Sequence, residues 1–574
     1  MKMRPTAHLN QHFAHRFFAM CFLLMASLLA LAALATGCGS STAPAISTEN
    51  EGVTPAADPI GERLFLDTRF AKWFYLYKTS VNAPLAAGDP VVDTVQTTDG
   101  TLPGPFAGQS INCRSCHFVT EFQGVANAGN RTYADFTTHS PIPFEQNGFT
   151  STPRNAMQMV NSFRQDGGTQ YLHFDGEFAS GEDLVIGTLT GRNFGWTPQD
   201  YATAIHHIAT IIREDDGTSD LAKDRTDGLS YGVVFKGVDS RITSDILLPA
   251  SQRIDVSTAT DMQIVQQVAF CITAYMADLQ FKKDNYERYI ASPYDAFLNK
   301  NHLPRTRLVG ETPAAYNLRL YNDVVELSSP VWVTPADGTF AYHDQPFQFG
   351  PTELAGLKIF LKAAAAGSGN DQHAGNCAAC HTPPDFTDFV FHNNGVSQDE
   401  YDNVHGVGSF IALSIPDLAT RAANPDAWLP QTANHPNATE PFRRQASPSN
   451  SNYADLGMWN IYLNPDYPNP QANLKAFVCA SGKDCSVDQG LASTIALFKT
   501  PDLRDSEDSA PYFHNGSRNT LNDVVAFYVQ MSALAKAGQM RNAPPEFQKM
   551  SLSSDDINAL AAFLASLTED YDDT

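Results

Sequence analysis

The chain has 574 residues, of which 43% are hydrophobic and 17% are charged, and its formal net charge is −24 at pH 7. This length exceeds what one hydrophobic core usually supports, and the composition excludes a disordered chain and a multi-span membrane protein. The acidic balance makes nucleic acid a poor partner.

The N-terminal segment, residues 1–37, has the pattern of an export signal. Three basic residues precede the apolar run FFAMCFLLMASLLALAALA, and Cys38 follows directly after the small residues ATG. A bacterial lipoprotein processing site with a lipidated Cys38 and an ordinary secretory signal both fit this pattern. We expect an exported protein on the periplasmic side, held at a bacterial membrane by a lipid anchor and a flexible tether over 38–58, with no spanning helix.

A first folded unit is predicted over 59–300. It contains the pentapeptide CRSCH at 113–117. Periodic apolar residues predict helices over 61–78, 198–214 and 262–281.

After a connection over 301–350, the pattern restarts in a second unit over 351–574, which contains CAACH at 377–381. We expect the two long inserts, 201–260 and 414–476, to pack against their own domains and not to form a functional site. The alternative is that they dock a partner protein. Further helices are predicted over 356–367, 520–536 and 553–567.

Three cysteines lie outside the signal segment, its cleavage site and the two pentapeptides. Cys271, in an apolar helix, is predicted to be a buried thiol. Cys479 and Cys485 could close a small disulfide loop, since export permits disulfides.

Each pentapeptide has the CxxCH spacing of a covalently bound haem c. In a short helix, positions i, i+3 and i+4 share a face. Two cysteines can therefore bind the haem vinyl groups while the next histidine ligates the iron. Zinc knuckles normally lie closer together, and thiol redox chemistry leaves both histidines unexplained. The residues that we predict to attach two haems are Cys113, Cys116 and His117, and Cys377, Cys380 and His381. We expect a mainly α protein of two cytochrome c-like domains.

Several further motifs resemble those of the bacterial dihaem cytochrome c peroxidase and MauG family. The similarity runs in order over about residues 59–567. The motifs are GERLFLDTRF (61–70), RNA (154–156), FDGEF (174–178), FTDFVFHNNGV (386–396), FKTPDLRD (498–505), SAPYFHNGS (509–517) and TLNDVVAFY (520–528).

This resemblance implies that the N-terminal haem reacts with hydrogen peroxide and that the C-terminal haem relays electrons. A carboxylate beside the open iron face would assist O–O cleavage, and Glu182 stands at the matching position. The alternative for Glu182 is an exposed acid. Peroxidases of the family cap the resting N-terminal iron with a loop histidine, whereas this chain has Tyr133 at the matching offset and His139 nearby. We therefore expect a permanently open N-terminal iron, as in MauG-like members.

The resemblance also places the sixth ligand of the C-terminal iron on the helix that begins with the capping pair Thr520 and Asp523. The matching residue is Tyr528, where the peroxidases have Met and MauG-like members have Tyr. Met531, one turn later, is the alternative. A phenolate oxygen stabilises oxidised iron, whereas a thioether favours reduced iron.

The remaining site residues are also implied by the resemblance. His514 would lie near the C-terminal haem, and Phe163 is the rough counterpart of an aromatic relay residue between the haems. Asn155, Ser509 and Pro511 match positions that hold a calcium ion through oxygen atoms.

Three functions remain open from the sequence. The chain could be a cytochrome c peroxidase that draws electrons from a small periplasmic cytochrome or copper protein. It could instead be a MauG-like oxidase of a side chain in a partner protein. A plain electron carrier, with both irons six-coordinate, is the third.

Overall fold

The computed structural model describes residues 56–91, 93–97, 100–103, 108–117, 152–364, 372–480, 486–507 and 509–571, which all belong to one compact unit. Four residues named from the sequence lie outside these ranges, namely Cys38, Tyr133, His139 and Cys485. The signal segment, the lipid anchor and the open first iron therefore stay predictions. Within the described residues, no helix is both long enough and apolar enough to cross a membrane.

The described part of the chain is mainly α-helical, which confirms the predicted fold class. The N-terminal helices are α1 Asp58–Leu66, α2 Lys72–Tyr77, α3 Gly181–Leu189, α4 Tyr201–Glu214, α5 Asp220–Thr226, α6 Tyr231–Lys236 and α7 Asp261–Asp278. The later helices are α8 Pro293–Lys300, α9 Pro313–Glu326, α10 Pro351–Leu361, α11 Val396–His405, α12 Ser409–Ala412, α13 Leu418–Ala423, α14 Gln471–Cys479, α15 Val487–Ser493, α16 Leu521–Lys536 and α17 Ile557–Ala565.

Two short antiparallel strand pairs accompany these helices. The pairs are β1 Thr94–Thr97 with β2 Gly100–Pro103, and β3 Phe391–His392 with β4 Phe498–Lys499.

The helix predicted over 61–78 is two helices. The backbone of Asp67 is extended at the end of α1, and its carboxylate accepts a hydrogen bond from Arg69 N at 2.9 Å, which caps a separate 3₁₀ turn. A side-chain oxygen that satisfies the first N–H groups of a new turn stabilises a helix start. The other predicted helices correspond to α4, α7, α10, α16 and α17.

One hydrophobic cluster in the N-terminal half includes buried side chains from α1, α4, α6 and α7. The insert 201–260 contributes α4 and α6 to this cluster. The α1 and α7 backbones meet at Gly61, where a Cβ would lie 2.1 Å from the Cys271 carbonyl oxygen. Cys271 is a free, fully buried thiol, as predicted.

A second cluster forms between residues 294 and 567 from α8, α9, α10, α16 and α17. Here α10 crosses α17 at Gly356, where a Cβ would lie 1.9 Å from the Ala559 carbonyl oxygen. Each half of the described chain thus contains a helix crossing at which a glycine lies against backbone atoms of the other helix. The boundaries 59–300 and 351–574 stay predictions.

A third cluster is formed mainly by the insert 414–476 and the segments that follow it. The fully buried Arg421 donates hydrogen bonds to the carbonyl oxygens of Trp459 at 2.5 Å and Tyr462 at 2.6 Å. Tyr171, from the N-terminal half, also packs in this cluster. Cys479 is disulfide-bonded, and its predicted partner lies outside the described residues.

Candidate functional site

The first CxxCH motif is a short 3₁₀ turn attached to the end of α1. The Asn112 side chain accepts a hydrogen bond from Ser115 N at 3.0 Å, and Ser115 Oγ accepts one from Asn112 N at 3.0 Å. The Asn112 amide also donates to the Leu66 carbonyl at 2.7 Å. This reciprocal capping holds Cys113 and Cys116 in one turn.

His117 is oriented by a backbone hydrogen bond. Its Nδ1 lies 2.7 Å from the Met157 carbonyl oxygen. Because a carbonyl only accepts, Nδ1 carries the proton and Nε2 keeps a lone pair for a metal. Burial lowers the pKa of His117 to about 4, so the ring is neutral at pH 7. Burial also raises the pKa values of Cys113 and Cys116 to about 12, so both are thiols without the cofactor.

All three residues line a cavity of about 960 Å³, the first cavity. One wall comes from the N-terminal half, including Arg154 and part of α3. The facing wall comes from the insert 414–476, which contributes Glu440, Arg443 and Tyr467 among others. The insert predicted to serve packing therefore also lines a site.

The second motif repeats this arrangement. The turn Cys377–Ala379 is held by Asn317, whose amide donates to the Ala378 carbonyl at 2.7 Å. His381 Nδ1 lies 3.1 Å from the Phe386 carbonyl oxygen, so its Nε2 also keeps a lone pair. Burial lowers the pKa of His381 and raises the pKa of Cys377 to about 12.

The second motif lines a separate cavity of about 240 Å³, the second cavity. The helix α16 presents one face to it, as predicted, with Leu521, Val524, Val525 and Tyr528. Burial raises the pKa of Tyr528, and the nearby Cys377 and Cys380 act in the same direction.

Met531 does not line the second cavity. It is fully buried in a hydrophobic cluster with Val396 and Phe527, and Tyr528 packs against the same cluster. Met550, which the sequence analysis did not single out, does line the cavity. Of the two residues proposed from the sequence as sixth ligand, Tyr528 lines the second cavity and Met531 does not. The identity of the ligand stays a prediction.

The two residue sets fit a haem c each. Both cysteines and the histidine of a motif face the same cavity, and each histidine presents a neutral nitrogen to it. Thiols at this spacing suit thioether bonds to two vinyl groups, and a neutral imidazole is a common axial ligand of haem iron. A cavity lined by apolar groups with a few polar ones is typical of a cofactor site.

Glu182 is not among the residues that line the first cavity, although its neighbour Asp183 is. The two side chains point in different directions because α3 turns by about 100° per residue, which its 3.6-residue turn requires. The carboxylates on the cavity wall are Asp183, Glu177, Glu440 and Asp466.

Glu177 belongs to a buried charged group in the first cavity. Its carboxylate lies 2.5 Å from Arg443 Nη2 and 3.0 Å from His173 Nδ1. Burial alone would raise the pKa of Glu177, but Arg443 and His173 outweigh burial and hold it well below the usual range. His173 therefore has an ionised partner at Nδ1, which orients the ring. His173 is not among the residues predicted from the sequence, because a lone loop histidine carries no motif signal.

Aromatic rings lie between the cavities. Phe174 lines both cavities, whereas Phe163 lines only the first. The Phe174 and His514 ring centroids are 6.3 Å apart, and His514 stacks on Phe498 at 3.7 Å. Phe174, rather than Phe163, thus occupies the shared wall, and His514 lines the second cavity as predicted.

The three residues predicted to hold calcium all line the second cavity. The Asn155 amide nitrogen donates to the Pro511 carbonyl, and Asn155 N donates to the His514 carbonyl at 2.7 Å. Ser509 Oγ donates to the Asp505 carbonyl at 2.6 Å. The residues are close together, but Asn155 and Pro511 are joined by a direct hydrogen bond, whereas a bound cation would lie between them. Calcium binding stays a prediction.

Comparison with known proteins gives partial matches. No protein-family model matches the chain. The cytochrome-c peroxidase IdrP2 of Denitromonas iodatirespirans is 29% identical over 194 residues, which cover 34% of this chain and 36% of the relative. The protein of the same name from Pseudomonas sp. (strain SCT) is 27% identical over 194 residues, with the same coverage. The match thus spans about a third of the length of these curated relatives.

Solved structures with similarity to the chain include two proteins. A MauG-like protein associated with microbial copper homeostasis is 16% identical, with a TM-score of 0.40 over 90% of this chain and 89% of that chain. The diheme peroxidase BthA from Burkholderia thailandensis is 15% identical, with a TM-score of 0.37 over 90% of this chain and 86% of that chain. The curated relatives confirm the resemblance that the sequence motifs indicate.

Proposed function

We propose that this relative of the bacterial cytochrome c peroxidases is an exported, lipid-anchored dihaem oxidoreductase that reduces hydrogen peroxide with electrons from an external donor. The observation that carries the proposal is the pair of cavities, each lined by Cys, Cys and a neutral His of its own motif and separated by a shared wall. Two adjacent haem sites in one compact unit would allow one haem to accept electrons from the donor and pass them to the other haem, where peroxide is reduced.

The overall reaction takes up two electrons and two protons for each hydrogen peroxide and releases two waters. Haem iron in the first cavity would supply the site for peroxide binding and the electrons for O–O cleavage. His117 would hold that iron, and His381 would hold the iron of the second cavity. Tyr528 would offer its phenol oxygen to the second iron as a further ligand.

Proton transfer requires a group that accepts a proton from one peroxide oxygen and returns it to the other. We assign this role to His173, because Glu177 accepts the Nδ1 hydrogen and leaves Nε2 as a base on the first cavity. Arg443 holds the Glu177 carboxylate in place. This assignment replaces the role that the resemblance implied for Glu182.

The test is peroxide turnover by the purified dihaem protein with a reduced small c-type cytochrome as donor. We expect a high-spin ferric signal from the first haem and steady consumption of peroxide. Two low-spin haems that do not react with peroxide would contradict the proposal and leave an electron carrier.

Two matched variants test the proton-transfer group. The variant His173→Gln should lose about 10²-fold or more of the rate of reaction with peroxide, since a positioned acid–base group contributes this much. The variant Glu182→Gln should react at nearly the original rate. If Glu182→Gln loses most of the rate of reaction with peroxide and His173→Gln does not, the proton-transfer role belongs to Glu182.

A second candidate function is MauG-like oxidation of a side chain in a partner protein. The presence of Tyr528 rather than Met531 at the second cavity favours this function, because an oxygen ligand stabilises oxidised iron. Negligible turnover with small cytochromes and with copper proteins, together with a normal reaction with peroxide, would favour it over the peroxidase.

A further inference from the structure

Lys499 is a buried cation in the wall that the two cavities share. It belongs to β4, and its backbone N–H donates to the Phe174 carbonyl at 2.7 Å. The residue is only 6% exposed, and it lines both cavities. Its Nζ lies 6.0 Å from the ring centroid of Phe389, a residue that lines the second cavity.

No carboxylate of the described residues lies within the 4.0 Å ion-pair distance of Lys499 Nζ. A buried ammonium group without an anion costs several kcal/mol in general, and proteins rarely keep one without a reason. Arg164 lies nearby, with its guanidinium 4.9 Å from the same Phe389 ring, but it is only partly buried and is paired with the Asp166 carboxylate at 2.7 Å. The buried cation in this wall that lacks a carboxylate partner among the described residues is therefore Lys499.

Asp502 is the carboxylate that would most readily neutralise this lysine. Its oxygens accept hydrogen bonds from the Asn161 side chain and, at 2.7 Å, from Arg504 N. Burial raises the pKa of Asp502 to about 7, and the same burial lowers the pKa of Lys499 to about 8. Asp502 thus has partners of its own and does not form an ion pair with Lys499.

We propose that Lys499 binds a propionate carboxylate of the haem in the second cavity. A haem carries two such carboxylates. One of them, placed at the shared wall, would be the anionic partner that Lys499 lacks among the described residues. Lys499 would then be a positioning residue, which fixes the second haem beside the first and tunes its reduction potential. The inference rests on the proposed presence of two haems, but not on the reaction with peroxide.

The test uses the dihaem protein and three variants. Lys499→Met removes the cation, Lys499→Arg keeps it, and Lys536→Met removes an exposed cation of α16 as a control. Spectroelectrochemical titration measures both midpoint potentials. Loss of a cation beside a propionate stabilises ferric iron, so Lys499→Met should shift the potential of the second haem to lower values and that of the first haem by less. Lys499→Arg should keep the potential of the second haem close to the wild-type value. Lys536→Met should change neither potential.

Equal potentials in Lys499→Met and Lys536→Met would overturn the inference. So would a larger shift at the first haem, because it would place the carboxylate in the other cavity. If Lys499→Met does not fold, a crystal structure of the wild-type dihaem protein decides. A propionate oxygen within hydrogen-bonding distance of Lys499 Nζ supports the inference, and a pairing of Nζ with Asp502 contradicts it. Haem content and peroxide turnover, measured separately, report on the proposed function.

Discussion

Tyr528 is the proposed oxygen ligand of the second site. Its ring lines the second cavity, whereas Met531, one turn later on α16, is fully buried in a cluster against which Tyr528 also packs. The two residues lie only about 60° apart around the helix, so the surrounding packing, and not the helix period alone, separates Met531 from the cavity. Met550 reaches the same cavity from outside α16.

We predict that Tyr528→Phe changes the ligand signature of the second ferric haem and raises its midpoint potential, since an anionic oxygen donor is lost. Absorption and electron paramagnetic resonance spectra measure the change. Met531→Leu is the control and should leave both spectra unchanged. If Met550→Leu alters the spectra and Tyr528→Phe does not, Met550 is the ligand instead.

At the scale of the elements, the helix pairs that support the two motifs share one feature, a close crossing at a glycine. A helix N-terminal to each CxxCH motif crosses a later helix of its own half at a glycine, Gly61 on α1 and Gly356 on α10. A Cβ at either position would meet backbone atoms of the crossing helix, which cannot move aside as a flexible side chain can. The close crossing sets the position of the chain segment that leads to each motif.

We predict that Gly61→Ala and Gly356→Ala each lower the free energy of unfolding by about 1–3 kcal/mol, the usual cost of overpacking a core. Denaturant unfolding of the dihaem protein measures the loss. Gly232→Ala, in the first turn of α6, is the matched control, because a Cβ there would meet only the Val256 side chain, at 3.1 Å. Similar losses for all three variants would show that the crossings have no special role.

At the scale of the whole molecule, the insert 414–476 is joined to the N-terminal half through buried charges. Arg154 donates two hydrogen bonds to Asp455, at 2.6 and 2.8 Å, and one to Asp175 at 2.6 Å. Arg443 lies 3.3 Å from Asp175 and 2.5 Å from Glu177. The wall of the first cavity is therefore built from segments about 300 residues apart in the chain.

We predict that Arg154→Met lowers the free energy of unfolding by about 3–5 kcal/mol, because it leaves the buried Asp455 without its cation and Asp175 with Arg443 alone. Chemical denaturation measures the change. Arg241→Met, which breaks an exposed pair with Asp239, should have little measurable effect. A small loss for Arg154→Met would mean that water reaches these carboxylates and that the insert is only loosely attached.

The sequence by itself determined the features that depend on a few neighbouring residues. The CxxCH motifs place their three functional groups within five residues, so local helix geometry is sufficient to predict that Cys377, Cys380 and His381 face one site. Apolar periodicity likewise predicted the positions of α4, α7, α16 and α17, and hence the mainly α fold.

Only the tertiary structure decided which distant residues complete each cavity. The positions of Lys499, His173 and the insert at the cavity walls depend on contacts between segments hundreds of residues apart, and no local pattern encodes such contacts. The presence of Tyr528 at the second cavity and the absence of Glu182 from the first cavity wall depend on how packing orients single helices. Burial then gives these groups their chemistry, because it excludes the water that would otherwise hydrate a charge.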